Sequence, residues 1–308
     1  MRLVFAGTPA VALPSLRALL DSHHEVIAVV TRPDARAGRG RSLTAAPVAT
    51  LAAEREIEVL KPARAGNPDF LTRLVELAPD CCPVVAYGGL IPQRVLDVPS
   101  LGWVNLHFSL LPSWRGAAPV QRSLMAGDQV TGATTFRLVQ ELDAGPTYGL
   151  CTETVRPDDT AGTLLERLAE HGAELLVATL DGIEGGTIEE RPQPVEGVSL
   201  APKLQVQEAE IDWSRSAYAV DRHIRGCTPD PGAWTMLGSE RLKVAPVAMR
   251  AEVGELGPAD VALGKNSVLV GTGTHAVELT NVQPAGKPRM RAADWARGLR
   301  RTSVRFGS

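Results

Sequence analysis

Through the first half of the chain, short runs of consecutive apolar residues alternate with segments of helical period. Leu3–Ala6 is an uninterrupted apolar run that stops at Gly7-Thr8-Pro9, and Val26–Val30 is a second. Both read as strands buried on two faces. Pro14 opens a helix with Leu16, Leu19 and Leu20 on one side, Val48–Glu56 has helical spacing, and Pro83–Tyr87 is a strand running into Gly88-Gly89. Thr163–Leu180 is the clearest helix. Thr163 and Glu166 have capping-box spacing, and Leu164, Leu165, Leu168, Leu175 and Leu176 form one stripe. Buried strands with helices between them predict an α/β domain whose mostly parallel sheet is covered on both faces. After Gly186 the pattern changes. Glu190–Lys203 holds Pro192, Pro194 and Pro202, has no periodicity and reads as a linker. One helix, Ala217–Ile224, then precedes short alternating segments at Arg241–Val247, Ser267–Val270 and Ala276–Leu279, separated by glycine-rich turns. They predict a small β-barrel or sandwich. Met290–Arg305 reads as an amphipathic helix with Trp295 and Leu299 inward and five arginines outward. The expected division is a domain at 1–189, a linker at 190–204 and a second domain at 205–308.

One strand breaks the apolar rule. Val104–Ser109 alternates, with Val104, Leu106 and Phe108 on one face and Asn105, His107 and Ser109 on the other. Pro112, Gly116 and Pro119 follow, so the polar residues lie at the strand's carboxyl end, where open α/β sheets bind ligands. Asp143, in Leu142-Asp143-Ala144-Gly145-Pro146, also follows an apparent strand, Thr134–Val139. A carboxylate within reach of an imidazole fixes its tautomer and stabilises the imidazolium, and an adjacent amide donates to a developing oxyanion. The trio suits attack on a carbonyl, with a nucleophile supplied by a substrate, since no Ser or Cys is placed for that role. The same residues are also compatible with a satisfied core histidine and an ordinary turn aspartate.

Composition narrows the setting. Apolar content of 44% and charged content of 22% are those of a globular protein. The net charge of −3 is unevenly spread: residues 205–308 carry 14 Lys/Arg against 11 Asp/Glu, and the rest 18 against 24. A mildly basic C-terminal part permits a polyanionic partner without requiring one. Cys81, Cys82, Cys151 and Cys227 form no CxxC pair and have no histidine cluster beside them, which argues for buried thiols rather than zinc or disulfides. No leader precedes the first strand, and no apolar run approaches a membrane span, so the expected compartment is the reducing cytoplasm. Gly7-Thr8-Pro9 is not a dinucleotide fingerprint and reads as a tight strand–helix turn. Thr31–Arg41 brings Arg32, Arg36, Arg39 and Arg41 together with Gly38 and Gly40; it is either a solvated loop or a flexible grip for phosphates.

Asn105-x-His107-x-Ser109-Leu110-Leu111-Pro112, followed by Arg115-Gly116-Ala117-Ala118-Pro119, resembles the signature of the 10-formyltetrahydrofolate-dependent formyltransferases. Leu142-Asp143-x-Gly145 is similar to that family's second motif. Further segments resemble its tRNA-directed members: Phe5 to Pro9; Arg32-Pro33-Asp34 with Gly38 to Gly40; Ile211-Asp212-Trp213 with Ile224-Arg225; and Gln283 to Lys287 with Met290. The resemblance covers nearly the whole chain. It implies a Rossmann-like N-terminal domain and an OB-fold-like C-terminal barrel. It implies transfer of a formyl group from 10-formyltetrahydrofolate to the α-amine of methionyl initiator tRNA, with Asn105, His107 and Asp143 as the catalytic trio. Ser109, Leu110, Leu111 and Pro112 would help hold the folate, and Val85, Ala86, Tyr87, Gly88 and Leu90 would line the pterin pocket. Arg36, Arg39 and Arg41 would probe the acceptor end of the tRNA. Arg222, Arg225, Lys243, Lys287 and Arg289 would contact its backbone. No metal and no membrane partner are expected, and the expected state is a monomer. Where many relatives carry Asn-Pro-Trp-Pro, this chain has Thr228-Pro229-Asp230-Pro231. Two rivals are a formyltransferase for a nucleotide-linked amino sugar and a non-catalytic RNA-binding protein. The first leaves the basic loop and Gln283–Lys287 without purpose, and the second leaves the trio without one.

Overall fold

The computed structural model describes residues 1–37, 42–299 and 303–307. The chain forms two compact units. The first comprises Met1–Pro119, Val130–Thr154 and Leu165–Ala201; the second comprises Val120–Gln129, Val155–Leu164 and Pro202–Ser308.

In the first unit the strands are β1 (Arg2–Gly7), β2 (Glu25–Val30), β3 (Ala35–Ala37), β4 (Ser42–Thr44), β5 (Glu58–Leu60), β6 (Cys82–Val85), β7 (Trp103–His107), β8 (Val130–Arg137) and β9 (Thr147–Thr154). The central sheet runs β5-β2-β1-β6-β7-β8-β9. The first five strands are parallel, and β8 and β9 join antiparallel. This is a Rossmann-like arrangement with an antiparallel extension, and the strand order reverses between β1 and β6. Leu3, Val4, Phe5 and Ala6 are all fully buried, which is why β1 shows no alternation. Helices α1 (Leu13–Leu20), α2 (Pro47–Glu54), α3 (Pro68–Leu77) and α4 (Gln93–Leu96) fall between the parallel strands. On one face of the sheet Val4, Ala28, Val84 and Trp103 share a core with Phe70, Leu74 and Leu77 of α3.

Helix α5 (Pro119–Ala126) follows β7, and α6 (Ala161–Glu184) follows β9. The start of α6 corrects the expected capping box. Thr163 Oγ1 accepts from Thr160 N and Thr160 Oγ1 accepts from Thr163 N, so the reciprocal cap is built by two threonines and the helix begins two residues before Thr163. Leu168, Leu176 and Leu180 are fully buried along it. Gly172 completes that stripe because a Cβ there would lie 2.9 Å from Leu106 Cδ2 of β7.

Of the segment expected to be a linker, residues 190–201 pack as part of the first unit, and residues 202–204 belong to the second. Arg191 pairs with Thr147 through N···O distances of 2.9 and 2.8 Å, and Ala201 N donates to Arg115 O at 2.7 Å. Among the described residues no helix is long and apolar enough to cross a membrane.

The second unit holds α7 (Ala217–Gly226), β10 (Trp234–Leu237), β11 (Glu240–Val244), β12 (Val247–Arg250), β13 (Asp260–Leu263), β14 (Val268–Val270), β15 (Ala276–Leu279), β16 (Asn281–Pro284), β17 (Met290–Arg291), α8 (Ala292–Arg297) and β18 (Ser303–Arg305). The strands form antiparallel sheets ordered β10-β11-β16-β17 and β12-β15-β14-β13-β18, the small antiparallel domain expected after residue 205. Its core holds Trp213, Trp234, Trp295 and Phe306, with Phe306 stacked 5.7 Å from Trp213 and 6.3 Å from Trp295. The long C-terminal helix expected over Met290–Arg305 is a single short helix. It stops at Gly298, and the chain returns as β18 to pair with β13, because burying Val304 and Phe306 requires strand alternation.

Candidate functional site

The loop after β6, the end of β7 with the turn that follows it, and the loop between β8 and β9 build the site. Thr8, after β1, donates from Oγ1 to Tyr87 O at 2.9 Å and accepts from Arg32 N at 3.2 Å, tying together the loops after β1, β6 and β2. Gly7 is glycine because a Cβ would lie 2.8–3.0 Å from Phe5, Ala12 and the Val85 carbonyl. The strand–helix turn read from Gly7-Thr8-Pro9 is therefore a loop staple. After β6, Ala86 and Gly88 adopt φ of +48° and +75°, which turns the chain out along a cavity.

That cavity has a volume of about 540 Å³. Val84, Leu96, Leu106 and Phe108 contribute apolar wall, and Ala86, Tyr87, Gly88 and Leu90 form one side. Asn105, His107 and Asp143 meet in the same cavity, as their strand positions predict. Leu90 (90% exposed) and Leu142 (58%) stand at its mouth. Val85 is not among the lining residues, because it is fully buried in the sheet. Ser109, Leu110, Leu111 and Pro112 do not line the cavity either. β7 ends at His107, so Ser109 leaves the strand's alternation. Ser109 Oγ donates to Ser113 O at 2.6 Å, Thr134 Oγ1 donates to Ser109 O at 2.7 Å, and Leu111 N donates to Thr134 Oγ1 at 3.2 Å. These four residues build the turn that carries the site.

His107 is held by a backbone group. Its Nε2 lies 2.9 Å from Trp114 O, and a carbonyl only accepts, so Nε2 carries the proton and Nδ1 the lone pair. Phe136 packs edge-on against the ring with centroids 6.4 Å apart. Nδ1 is 3.9 Å from Asp143 Oδ2, close enough for a strong electrostatic interaction and too far for a hydrogen bond. The ring is therefore oriented by Trp114, and Asp143 supplies charge. Burial pushes the imidazole pKa below its ordinary value, while Asp143 and the Trp114 carbonyl oppose the shift. Asp143 itself is pinned by Gly116 N, which donates to Oδ2 at 2.8 Å. Trp114 and Asp143 adopt φ of +63° and +48°, two strained positions on either side of one histidine. Asn105 is half-buried, and among the described residues its side-chain amide has no hydrogen-bond partner.

Two glycines explain the second motif and the middle of the first. A Cβ at Gly145 would lie 1.8 Å from Arg137 O, and one at Gly116 (φ +127°) would lie 2.6 Å from Ala201 O. The residues that sequence reading missed are in the same neighbourhood. Ser199 Oγ accepts from Trp114 N at 2.9 Å, and Gln193 bonds to the Asp143 loop. Both sit in the aperiodic stretch read as linker, and hydrogen bonding of this kind leaves no periodic signal.

A sequence profile described as formyl transferase matches residues 1–180, and one described as formyl transferase, C-terminal domain, matches residues 203–300. The chain belongs to the formyl transferase family. It is 62% identical over 310 residues to a methionyl-tRNA formyltransferase of a Nocardioides species, covering 100% of this chain and 98% of that one. It is 64% identical over 303 residues to a methionyl-tRNA formyltransferase of Streptomyces coelicolor, covering 98% of each. Among solved structures, methionyl-tRNA formyltransferase from Clostridium thermocellum superposes with a TM-score of 0.59 at 14% identity, covering 81% of this chain and 94% of that one; the likeness is one of fold.

The residues expected to meet tRNA divide. Arg39 and Arg41 lie outside the described residues, as does the side chain of Arg36 in β3. In this formyl transferase Arg225 is buried: its Nε donates to Asp221 at 2.8 Å and its Nη1 to Asp159 O at 2.9 Å. It is an internal tie of the second unit, which corrects its expected place on the surface. Arg222 is half-buried beside Gly127, where a Cβ would lie 2.2 Å from its Nη1. Lys287 and Arg289 are exposed. Gln283–Lys287 spans the end of β16 and the turn that leads to β17. Gln283 Nε2 donates to Lys287 O at 3.1 Å, and Gly286 has φ +70°. Lys287 and Arg241 border a cavity of about 230 Å³ floored by Leu242 and Trp295.

Proposed function

We propose that the protein transfers the formyl group of 10-formyltetrahydrofolate to the α-amine of methionyl initiator tRNA, with Asn105, His107 and Asp143 as its catalytic residues. The observation that carries the assignment is the meeting of an amide without a partner among the described residues, a buried imidazole and a pinned carboxylate at one end of a cavity, in a chain that belongs to this family. The cavity's size and its apolar wall with a few convergent polar groups fit a flat heterocyclic donor. Ala86, Tyr87, Gly88 and Leu90 would hold the pterin, and Ser109–Pro112 and Val85 would support that grip from behind. The donor supplies an electrophilic formyl carbon.

The residues divide the remaining work. Asn105 donates an amide N–H to the formyl oxygen as negative charge builds on it, an effect worth about 3–4 kcal/mol at comparable sites. His107 takes a proton from the attacking amine at Nδ1, because Nε2–H is committed to Trp114 O, and would pass it to N10 of the donor as the C–N10 bond breaks and tetrahydrofolate departs. Its depressed pKa keeps Nδ1 available at neutral pH, and the amine has an ordinary pKa near 8. Asp143 stabilises the imidazolium that forms, across 3.9 Å between two side chains that are 7% and 12% exposed. Residues 205–308, through Arg222, Lys243, Lys287 and Arg289, together with the Arg36, Arg39 and Arg41 loop, would hold the tRNA. The protein would act as a monomer in the cytoplasm, where translation initiates.

The test is direct. The protein is incubated with 10-formyltetrahydrofolate and either charged initiator tRNA or a 4-amino sugar nucleotide. Formylation of the tRNA alone is expected; formylation of the sugar alone would overturn the assignment.

A further inference from the structure

The 191–201 segment does more than join two units. Its backbone pairs with Thr147 at one end and with Arg115 at the other, and between these anchors Gln193 reaches across to the site. Its Nε2 donates to Asp143 O and to Gly145 O, both at 2.8 Å. Its Oε1 accepts from Arg115 Nε at 3.1 Å and Nη2 at 2.7 Å. A carboxamide has two N–H groups and two lone pairs, so Gln193 is saturated. Flipping the amide would set its oxygen against two carbonyls and its NH₂ against a guanidinium, so the contacts permit one orientation.

We propose that Gln193 is a positioning residue that holds Asp143 at its distance from His107. Asp143 sits at φ +48°, a conformation that needs support from its surroundings. Its side chain is held by Gly116 N, and its backbone carbonyl by Gln193. Gly116 follows Arg115, the residue that Gln193 also grips. The two motif loops are thus bridged directly, by Gly116 N on Asp143 and by the Arg115–Glu141 ion pair at 3.9 Å, and again through Gln193. Further along the segment, Ser199 holds the nitrogen of Trp114, whose carbonyl orients His107. Both neighbours of the imidazole are fixed by a stretch whose sequence has no regular pattern.

The inference rests on the role given above to Asp143, and the test separates the two. In the full-length protein, the His107 ring is titrated by NMR without substrate, and turnover is measured in parallel. Gln193→Ala should lower the His107 pKa in the same direction as Asp143→Asn, because a displaced carboxylate stabilises the imidazolium less. It should have no further effect on the pKa in an Asp143→Asn background. Turnover should fall about 10-fold, with KM for either substrate changed less than about 3-fold. Gln193→Glu keeps the acceptor for Arg115 but sets a carboxylate oxygen against two carbonyls, and should be at least as impaired. If Gln193→Ala does not fold, Gln193→Met, which keeps length without the amide, carries the same expectations. An unchanged His107 titration, or a fully active Gln193→Glu, would overturn the inference. A lowered His107 pKa in a protein that formylates no tRNA would uphold the inference and overturn the functional assignment.

Discussion

His107 and Lys287 are both polar side chains that we assign to substrates, and the protein treats them in opposite ways. His107 is 6% exposed, bonded to a carbonyl, packed on Phe136 and flanked by two residues at positive φ. Lys287 stands exposed on a hairpin turn. The end we assign to catalysis is held by fixed contacts, so its free energy would be concentrated in few groups, each costly to lose. A surface that neutralises phosphates spreads its effect over many exposed cations, each worth little and each screened by salt. This contrast predicts an ordered series of effects.

The largest belong to the trio. Asn105→Ala, His107→Ala and Asp143→Asn should each lower turnover by at least about 100-fold while circular dichroism shows the fold intact. Next come the glycines that let the motif loops approach one another. Gly145→Ala forces a Cβ onto a backbone carbonyl at 1.8 Å, and should cost about 3 kcal/mol of stability by denaturant melts, together with most activity. Gly286→Ala on the basic hairpin, where the added Cβ meets nothing, should cost less than half of that, from its positive φ alone. On the basic face, Lys287→Ala with Arg289→Ala should weaken tRNA binding a few-fold. The slope of log affinity against log salt should fall by up to about 0.7–0.9 per lost phosphate contact, with folate binding unchanged. An unaltered slope would remove both residues from the interface.

The smallest effect is one of pH and lies away from both regions. Burial pushes the His24 pKa below its ordinary value. The unfolded chain then binds more protons, so stability should be full above about pH 6.5 and decline as pH falls through that value towards the folded pKa. Denaturant melts at pH 7.5 and 5.5 would show the decline, and His24→Asn should reduce it, the remainder coming from His107 and His223, whose pKa values burial also lowers.

Much of the first unit was legible because its signals are local. Consecutive apolar residues in β1 and β2 reflect burial on both faces, and the alternation of Asn105 and His107 reflects a strand with one face on a cavity. β9 was not legible: Thr147–Thr154 alternates between half-buried and exposed positions and carries no apolar run. Arg225 was misplaced because an arginine's partners, here Asp221 and the Asp159 carbonyl, are set by folding and not by spacing. Ser109 belonged to the polar face of a strand that ends two residues earlier. Gln193 and Ser199 were hidden in a proline-rich stretch, since a strap held by its own backbone pairing needs neither helical nor strand period. The nearness of His107 to Asp143 was readable, but the agent that orients the ring, Trp114 O, is a main-chain atom and has no residue signature.

The central claim is that formyl transfer to methionyl initiator tRNA is run by the buried end of the cavity. The most direct test is the single-turnover rate of 10-formyltetrahydrofolate-dependent formylation of charged initiator tRNA, wild type against Asp143→Asn, with folate binding measured alongside. A rate at least about 100-fold lower with folate affinity preserved is the expected result. A rate near that of wild type would contradict the account, because the one charge that stabilises the His107 imidazolium would then be dispensable.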